Sequence, residues 1–435
     1  MNTDSHIQTQ PTLLVPTQAT ESALPETGAT AIIGVQRITR ALRHHDFRLF
    51  WAGNFLSNIG TWMQNVAQGW LVLQLTNSAF WLGMVGFASS IPILFFALIG
   101  GVIADHTNNR KLLMGTQSAM MVFAFILSGL TFFHHLSVGG VAVLALGTGI
   151  AMSLNTPSYQ ALVPQLIPRE DLTNAIALNS AQFNMSRVIG PTLGGFAMAL
   201  IGPSGNFFLN GVSFLAVLFA LGQMHYPERI APPEGQFFEK LEQGFAYVFS
   251  HSHTGPLVVL TAIASLLAVP YLTFVPYFAR DVLHSDARGL GILMACNGVG
   301  AFCGAGTIAY AGQICRRGTF VIRSGVGFFA SIIAFTFSRN FLVSGFLLMV
   351  VGYFMITMVA TVNALLQHLA DDTMRGRVMS IYSTAFLGLP PLGSLAAGLL
   401  ARVISPAHAI AGMCALALIS SLVVFQWSTA LRELD

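Results

Sequence analysis

The chain has 435 residues, of which 54% are hydrophobic and only 9% are charged. A soluble globular protein carries about 25% charged residues, so lipid must cover most of this surface. A soluble enzyme, a disordered protein and a fibrous protein are therefore excluded. The net charge of +3 indicates no nucleic-acid partner, and the four cysteines form no CxxC motif. We expect no disulfide framework, no metal site and no cofactor.

The N-terminal segment 1–38 begins with 36 residues that are rich in Thr, Pro, Gln and Ala and contain no Lys or Arg. A secretory signal begins with basic residues and continues with an apolar stretch, so we interpret this segment as a disordered tail. Arg37, Arg40, Arg43 and Arg48 then cluster around the start of the first long apolar segment. A basic cluster beside a membrane span marks the cytoplasmic side.

The rest of the chain is a series of long apolar segments separated by charged or turn-rich breaks. A membrane-spanning helix needs about 20 largely apolar residues, and twelve segments meet this requirement. Their approximate ranges are 47–75, 78–104, 111–133, 138–165, 173–200, 203–224, 256–283, 287–312, 319–338, 341–368, 376–402 and 406–429. The sequence therefore predicts an all-α membrane protein with twelve transmembrane helices.

The longest break lies between the sixth and seventh segments and predicts a linker. Apolar residues recur in it at steps of three and four, the period of an amphipathic helix on a membrane or on a bundle. These residues are Phe237, Phe238, Leu241, Phe245 and Val248. The predicted domains are a first bundle over 39–224, a linker over 225–255 and a second bundle over 256–430.

The distribution of Lys and Arg predicts the orientation. If the N-terminus is inside, the cytoplasmic breaks hold fifteen of these residues, the outer breaks hold four, and Arg187 lies within a span. Positive residues concentrate on the cytoplasmic side of membrane proteins. Both termini and the linker are therefore expected in the cytoplasm.

The two halves of the chain repeat one feature. The fifth segment carries Gly190-Pro191 and Gly194-Gly195, and the eleventh, about 200 residues later, carries Pro390-Pro391, Gly393 and Gly398. Internal duplication is a common plan of secondary transporters, whose binding site lies between the repeats. The predicted fold is thus two pseudo-symmetric six-helix bundles with a site at their interface.

The break after the second segment carries a glycine, an aspartate and a basic pair, which are Gly101, Asp105, Arg110 and Lys111. This pattern resembles the signature of the major facilitator superfamily between its helices two and three. Gly101 permits close approach of a neighbouring helix, and the Asp105 carboxylate can cap a facing helix N-terminus. The resemblance implies that these four residues form a conformational switch with the eleventh helix.

The fifth segment carries a second motif, formed by Gly190, Pro191, Gly194 and Gly195. It resembles the Gly-Pro-x-x-Gly-Gly pattern in helix five of exporters of the superfamily. Pro191 removes a backbone donor and bends the helix, while the glycines admit a close partner. The resemblance implies export and a role in the same conformational switch.

Further family cues extend the resemblance over about residues 40–430. They are Phe47-Arg48-Leu49-Phe50-Trp51, Thr156-Pro157, Val163-Pro164, Asn174-Ala175 and Gly376-Arg377-Val378. These cues are similar to those of bacterial exporters that include enterobactin (siderophore) and macrolide efflux proteins. The resemblance implies a monomeric protein of the bacterial inner membrane that is coupled to protons.

Polar residues within the predicted spans are candidates for lining a transport path. The first span carries Asn54, Asn58, Thr61, Asn65 and Gln68 at steps of four and three, so all five share one helix face. Polar groups that face lipid are costly, so this face meets either a water-filled cavity or hydrogen-bonding partners on other helices, and its continuity favours the cavity. The other candidates are Asn179, Gln182, Tyr271, Tyr277, Asn297, Tyr353, Thr357 and Tyr382.

Arg187 is the single full charge well inside a predicted span. An ionisable residue at this depth is costly and indicates a functional site. Two roles stay open on the sequence alone. Arg187 either meets an anionic group of the substrate or holds the interface through backbone carbonyls.

The sequence as a whole predicts a secondary transporter that exports a siderophore, a macrolide-like compound or another amphipathic small molecule by alternating access. An ATP-driven pump is excluded, because a P-loop lysine directly follows a glycine. The two lysines of this chain, Lys111 and Lys240, follow Arg110 and Glu239, respectively. The expected partners are a small-molecule substrate, protons and the lipid bilayer. The alternatives are an importer of a small solute and a non-transporting receptor or scaffold with the same fold.

Overall fold

The computed structural model describes residues 40–224, 237–311, 317–371 and 373–432, and all regular structure in these ranges is helical. The predicted tail over 1–38 and the first part of the linker, 225–236, lie outside the described residues. The α-helices in chain order are α1 His45–Thr76, α2 Ala79–His106, α3 Asn109–Phe132, α4 Val138–Leu162, α5 Leu172–Gln223, α6 Phe237–Ser250, α7 Thr254–Leu267, α8 Tyr271–Tyr277, α9 Ala287–Ala311, α10 Arg317–Phe337, α11 Phe341–Leu369, α12 Arg375–Gly388, α13 Pro390–Leu400, α14 Pro406–Trp427 and the single turn α15 Thr429–Arg432.

The long helix α5 is a hairpin of two crossings. Gly202 has φ 70° and ψ 179°, a conformation that favours glycine, and Pro203 follows it. The Asn206 side-chain amide donates a hydrogen bond of 2.7 Å to the carbonyl of Gly194. These two residues would lie about 18 Å apart in a straight helix, so the chain reverses at Gly202.

Ten helical segments among the described residues are long and apolar enough to cross a membrane. One of them is the α5 region, which the reversal at Gly202 divides in two. The helix α1 is not among the ten, although its 32 residues exceed the length needed to cross, because its amides lower its hydropathy. The count of twelve stays a prediction.

Two of the crossings in the second half are broken near the middle of the bundle. Pro270 separates α7 from α8, and Pro390 begins α13 directly after α12. A proline lacks the amide proton that would continue the helix and clashes with the preceding turn.

The two halves meet along two pairs of helices, α5 with α9 and α2 with α13. A Cβ atom on Gly195 would lie 2.6 Å from Gly291 Cα, and a Cβ atom on Gly398 would lie 3.2 Å from Gly83 Cα. Small residues allow this approach of backbones. We call these contacts the seam. The helix α1 begins and α14 ends at one end of the bundle, which we call the termini end. The seam lies near the opposite end, which we call the far end, because Gly83 and Gly291 belong to the first two turns of α2 and α9.

At the termini end of the first half, charged groups hold the start of α5. The Asp171 carboxylate, which is buried, lies 2.8 Å from Arg40 Nε and 2.8 Å from His44 Nε2. The backbone N–H of Ala41 donates to the Asn174 side-chain oxygen at 2.8 Å. The turn before α1 is thereby fastened to α5.

At the termini end of the second half, neutral acceptors of α6 hold the start of α12. The backbone N–H of Asp371 donates to the Tyr247 hydroxyl oxygen at 3.2 Å. Arg377 Nη1 donates to the Gln243 side-chain oxygen at 2.6 Å. The helix α6 therefore plays the part in the second half that residues 40–44 play in the first.

Candidate functional site

A cavity of about 410 Å³ lies between the two halves, at the middle of the bundle. Its walls come from the first crossings of both halves and from their neighbours, namely α1, α2, α3, α4, α5, α8, α9 and α13. Five of the residues predicted to line a path are in its walls. They are Thr61, Asn65, Gln68, Arg187 and Asn297.

The polar face of α1 divides between the cavity and the interior of the first half. Its part toward the far end, from Thr61 to Gln68, is in the cavity wall. Asn54 is buried and hydrogen-bonds with Tyr159 of α4. Asn58 is half-buried outside the wall. The two environments considered for this face therefore both occur, one at each end of it.

Seven further candidates lie outside the cavity wall, Tyr271 among them. Gln182 is fully buried, and neither of its side-chain polar atoms has a hydrogen-bond partner among the described residues. The Asn179 side-chain oxygen is in the same situation. The others make contacts within the second half: Thr357 Oγ1 donates to Tyr353 O at 2.7 Å, Tyr382 Oη donates to Val359 O at 3.3 Å, and Tyr277 packs on Phe278.

Arg187 reaches from the first half to the second. Its Nη2 lies 3.7 Å from Met355 Sδ on α11, and its charge is within electrostatic reach of the fully buried Tyr271. Behind it, Asn297 Nδ2 donates to the Tyr271 hydroxyl oxygen at 2.7 Å and to Leu348 O at 3.1 Å. Tyr271 is thus held behind the wall, while Asn297 is in it.

The glycines of the α5 motif place α5 between two neighbours. A Cβ atom on Gly194 would lie 2.9 Å from Met63 Cα of α1, and Gly190 packs on Trp62 of the same helix. Gly195 faces α9 of the other half. Pro191, one residue after Gly190, is itself in contact range of Gly291 through its carbonyl. The motif therefore joins the cavity helix α1 to the seam.

The predicted loop switch is described in part. Arg110 caps the end of α5, with Nε donating to Leu221 O at 2.6 Å and Nη2 donating to Gly222 O at 2.9 Å. The backbone N–H of Lys111 donates to the Asn108 side chain at 3.1 Å, which caps α3. Gly101 and Asp105 belong to α2, but their side-chain surroundings lie outside the described residues.

Several wall residues were not among the residues predicted to line a path. In the first half they include Gln64 and Asn210, which share a buried hydrogen bond of 2.8 Å. In the second half they include four prolines, Pro270, Pro276, Pro390 and Pro391, together with Thr273 and Ser394. The paired prolines were visible as part of the internal repeat, whereas Gln64 falls one position off the polar face of α1.

Two helical halves around a central cavity are the architecture expected of a transporter of the major facilitator superfamily. The family model described as a transmembrane secretion effector matches residues 39–435. The chain therefore belongs to this family, within the branch of siderophore and drug exporters. The predicted all-α major facilitator fold and the family resemblance are confirmed, and the protein is a multi-pass membrane transporter.

Relatives of known activity cover most of the chain. The Staphyloferrin A transporter of Staphylococcus aureus is 25% identical over 82% of this chain and 89% of its own length. The multidrug efflux pump Tap of Mycolicibacterium fortuitum is 26% identical over 85% of this chain and 92% of its own. The enterobactin exporter EntS of Citrobacter koseri is 23% identical over 83% and 87%.

Solved structures share the fold at lower sequence identity. The nucleoside transporter NupG matches with a TM-score of 0.67 and 14% identity, covering 89% of this chain and 99% of its own. A D-xylose–proton symporter matches with a TM-score of 0.66 and 12% identity, covering 89% and 98%. At these identities the likeness concerns the fold alone.

Proposed function

We propose that the protein exports a siderophore, a macrolide-like compound or another amphipathic small molecule across the bacterial inner membrane by alternating access. The observation that carries the proposal is the cavity between the halves, which combines amides and one charge with an apolar, aromatic lining that includes Trp62 and Phe214. A volume of about 410 Å³ is within the range of about 300–1,000 Å³ of small-molecule sites.

The position of the seam supports a direction. The close backbone contacts between the halves, such as Gly195 with Gly291, lie beside the part of the cavity nearest the far end, where Leu82 and Leu290 are in its wall. If the termini are cytoplasmic, as the basic residues predict, these contacts hold the halves together on the outer side. Rocking of the halves would then open the seam and release cargo to the outside.

Transport in cells tests this proposal. A strain that lacks its own exporters would express the protein or carry an empty vector, and efflux of a panel of siderophores, macrolides and dyes would be followed with and without a protonophore. Export that exceeds the empty vector and is abolished by the protonophore is expected. Uptake into the cells would favour the importer alternative, and the absence of any protein-dependent flux would favour a receptor.

Orientation is tested separately by labelling. In a background in which the four cysteines are replaced by serine, single cysteines would be placed at Ser250 and at His135, which belong to opposite ends of the bundle. A membrane-impermeant thiol reagent applied to intact cells is expected to label the variant at His135 alone. Labelling of the variant at Ser250 from outside would reverse the orientation and, with it, the direction proposed for the cavity.

A further inference from the structure

Arg187 is in the cavity wall with most of its hydrogen-bonding capacity unspent. A guanidinium carries five N–H donors, and the one polar contact that the described residues make with it is the Met355 thioether at 3.7 Å, a weak acceptor. No backbone carbonyl of the described chain accepts a hydrogen bond from it. The carbonyl-clamp role that the sequence left open is therefore not the arrangement in this structure.

The described residues also bring no carboxylate to Arg187. Asp171, just before the start of α5, is sixteen residues earlier, about 24 Å away along the helix. Val188, next to Arg187 on α5, contacts Gly298 of α9. Asp286, just before the start of α9, is about 18 Å from Gly298 along the helix axis. Among the described ion pairs, the acidic partners Asp46, Asp171 and Asp281 all lie at helix ends. Within the described part of the chain, the charge is left without a counter-ion.

A cation without a counter-ion inside a membrane protein is costly, and the cavity beside it has room for one. We propose that the cavity binds its cargo through a carboxylate that pairs with the Arg187 guanidinium, so that the substrates are amphipathic anions. This inference rests on the proposed function and names the substrate class. The apolar lining, which includes Trp62, Met294 and Phe214, holds the remainder of the molecule.

The location of Arg187 connects this binding to the movement of the halves. The residue belongs to α5 of the first half, yet its side chain contacts Met355 of the second. Tyr271 and Asn297 are positioning residues, because their hydrogen bond of 2.7 Å holds the surface that faces the guanidinium. A carboxylate bound to Arg187 thus lies where both halves meet, and separation of the halves at this level exposes it to water.

The test is binding to the purified protein without any gradient. The probes are benzylpenicillin and fluorescein, each paired with its methyl ester, which keeps the shape and removes the carboxylate. The readout is the ligand-dependent rise of the unfolding temperature, measured for wild type, Arg187→Gln, Arg187→Lys and Arg323→Gln. Arg323 is an exposed arginine of α10, so its variant is the control for loss of one charge.

We expect millimolar acids to raise the unfolding temperature of wild type and of Arg323→Gln more than their esters do. A charge-assisted pair predicts a loss of affinity of about tenfold or more in Arg187→Gln, and a smaller loss in Arg187→Lys, which keeps the charge without the planar fork. Equal responses to acid and ester in wild type, or no response to either acid, would overturn the inference. So would an acid response that persists in Arg187→Gln.

The comparison of acid with ester in wild type keeps the test valid even if an Arg187 variant is poorly folded. It also separates the two proposals. Binding of acids by a protein that moves no compound in cells would contradict export and leave the anion site standing. Protein-dependent export of compounds that are neutral or cationic, with no preference for acids, would leave export standing and contradict the anion site.

Discussion

Each half of the duplicated fold forms one wall of the cavity, and the two walls differ in their side chains. The wall of the first half holds four amides and the charge, which are Gln64, Asn65, Gln68, Asn210 and Arg187. The wall of the second half holds one amide, Asn297, and four prolines, Pro270, Pro276, Pro390 and Pro391. Hydrogen-bonding side chains are thus concentrated in the first half, and the second half supplies bends.

The difference has a physical basis in what each residue type leaves unsatisfied. An amide side chain presents both donors and an acceptor to the cavity. A proline presents none, but it frees the carbonyl of the preceding turn and interrupts the helix. A wall of amides can therefore distinguish one solute from another, whereas a wall of prolines provides a joint at which α8 and α13 can change angle.

The largest expected effect comes from two glycines that the repeat places in similar positions. Gly195 packs on the other half, where an added Cβ atom would lie 2.8 Å from Ala287 O, whereas Gly393 packs on Leu266 and Pro270 of its own half. We expect Gly393→Ala to remove most of the folded protein, since the second half cannot close around the added carbon. We expect Gly195→Ala to keep the folded protein and lower transport by about fivefold or more, because a seam held apart changes the balance between conformations.

Yield after size-exclusion chromatography and efflux per folded molecule measure these two outcomes. Gly306→Ala is the matched control, because that glycine of α9 is exposed and has nothing near its Cβ position. Normal transport by Gly195→Ala would show that the seam tolerates separation. A normal yield of Gly393→Ala would contradict the assignment of that glycine to internal packing.

The next largest effect is expected from the charge in the wall of the first half, compared with a neutral hydroxyl in the wall of the second half. Arg187→Ala should reach the membrane, because each half keeps its own packing, yet lose transport about tenfold or more since a charged hydrogen bond is worth about 1.5–3 kcal/mol. Thr273→Ala in the opposite wall should change transport less than about threefold, because its bond to Ser394, at 3.2 Å, joins two neutral hydroxyls. If Arg187→Ala fails to insert or to survive detergent extraction, the residue is structural.

A smaller effect is expected from the amides. Asn65→Ala and Gln68→Ala should each raise the half-saturating substrate concentration by about two- to tenfold, the cost of one neutral hydrogen bond of about 0.5–1.5 kcal/mol. Ser394→Ala in the second half should change it by less. The comparison of the two walls is contradicted if the serine variant weakens substrate binding more than either amide variant.

The smallest effect concerns the termini end, where charge again belongs to the first half. Asp171→Asn should lower stability by about 1 kcal/mol or less, because Arg40 is more than half exposed and such pairs are weak. That loss should shrink in high salt, which screens the pair. Tyr247→Phe removes a neutral hydrogen bond and should cost a similar amount at any salt. Unfolding temperatures at low and high salt distinguish the two.

The sequence was sufficient for the fold class because hydropathy and helix length are local properties. Each of the twelve predicted spans contains helix in the structure. The predicted break between the fifth and sixth spans coincides with the reversal at Gly202, which precedes Pro203. The sequence could not establish the number of crossings, because the amides of α1 that line the cavity lower the hydropathy of that helix. The family resemblance could be predicted because the α5 motif and the loop motif are also local patterns, and the family model confirms it.

The candidate site was harder to predict, because helical periodicity gives a face and does not say what covers it. Thr61 and Asn54 share a face of α1, but one is in the cavity wall and the other bonds with Tyr159. That difference depends on how far α4 and α5 extend over α1. Tyr271 was singled out for its polar tip, yet its neighbour Asn297 covers it, which a single sequence cannot show.

The connections at the far end have a practical consequence. Counting the helical turn Phe278–Val282 as a continuation of α8, they comprise 77–78, 133–137, 202, 283–286, 338–340 and 401–405, none longer than five residues. Connections this short leave a protease or an antibody against a linear peptide little exposed chain to bind. If this end faces the periplasm, fiducial domains for cryo-electron microscopy belong at the termini.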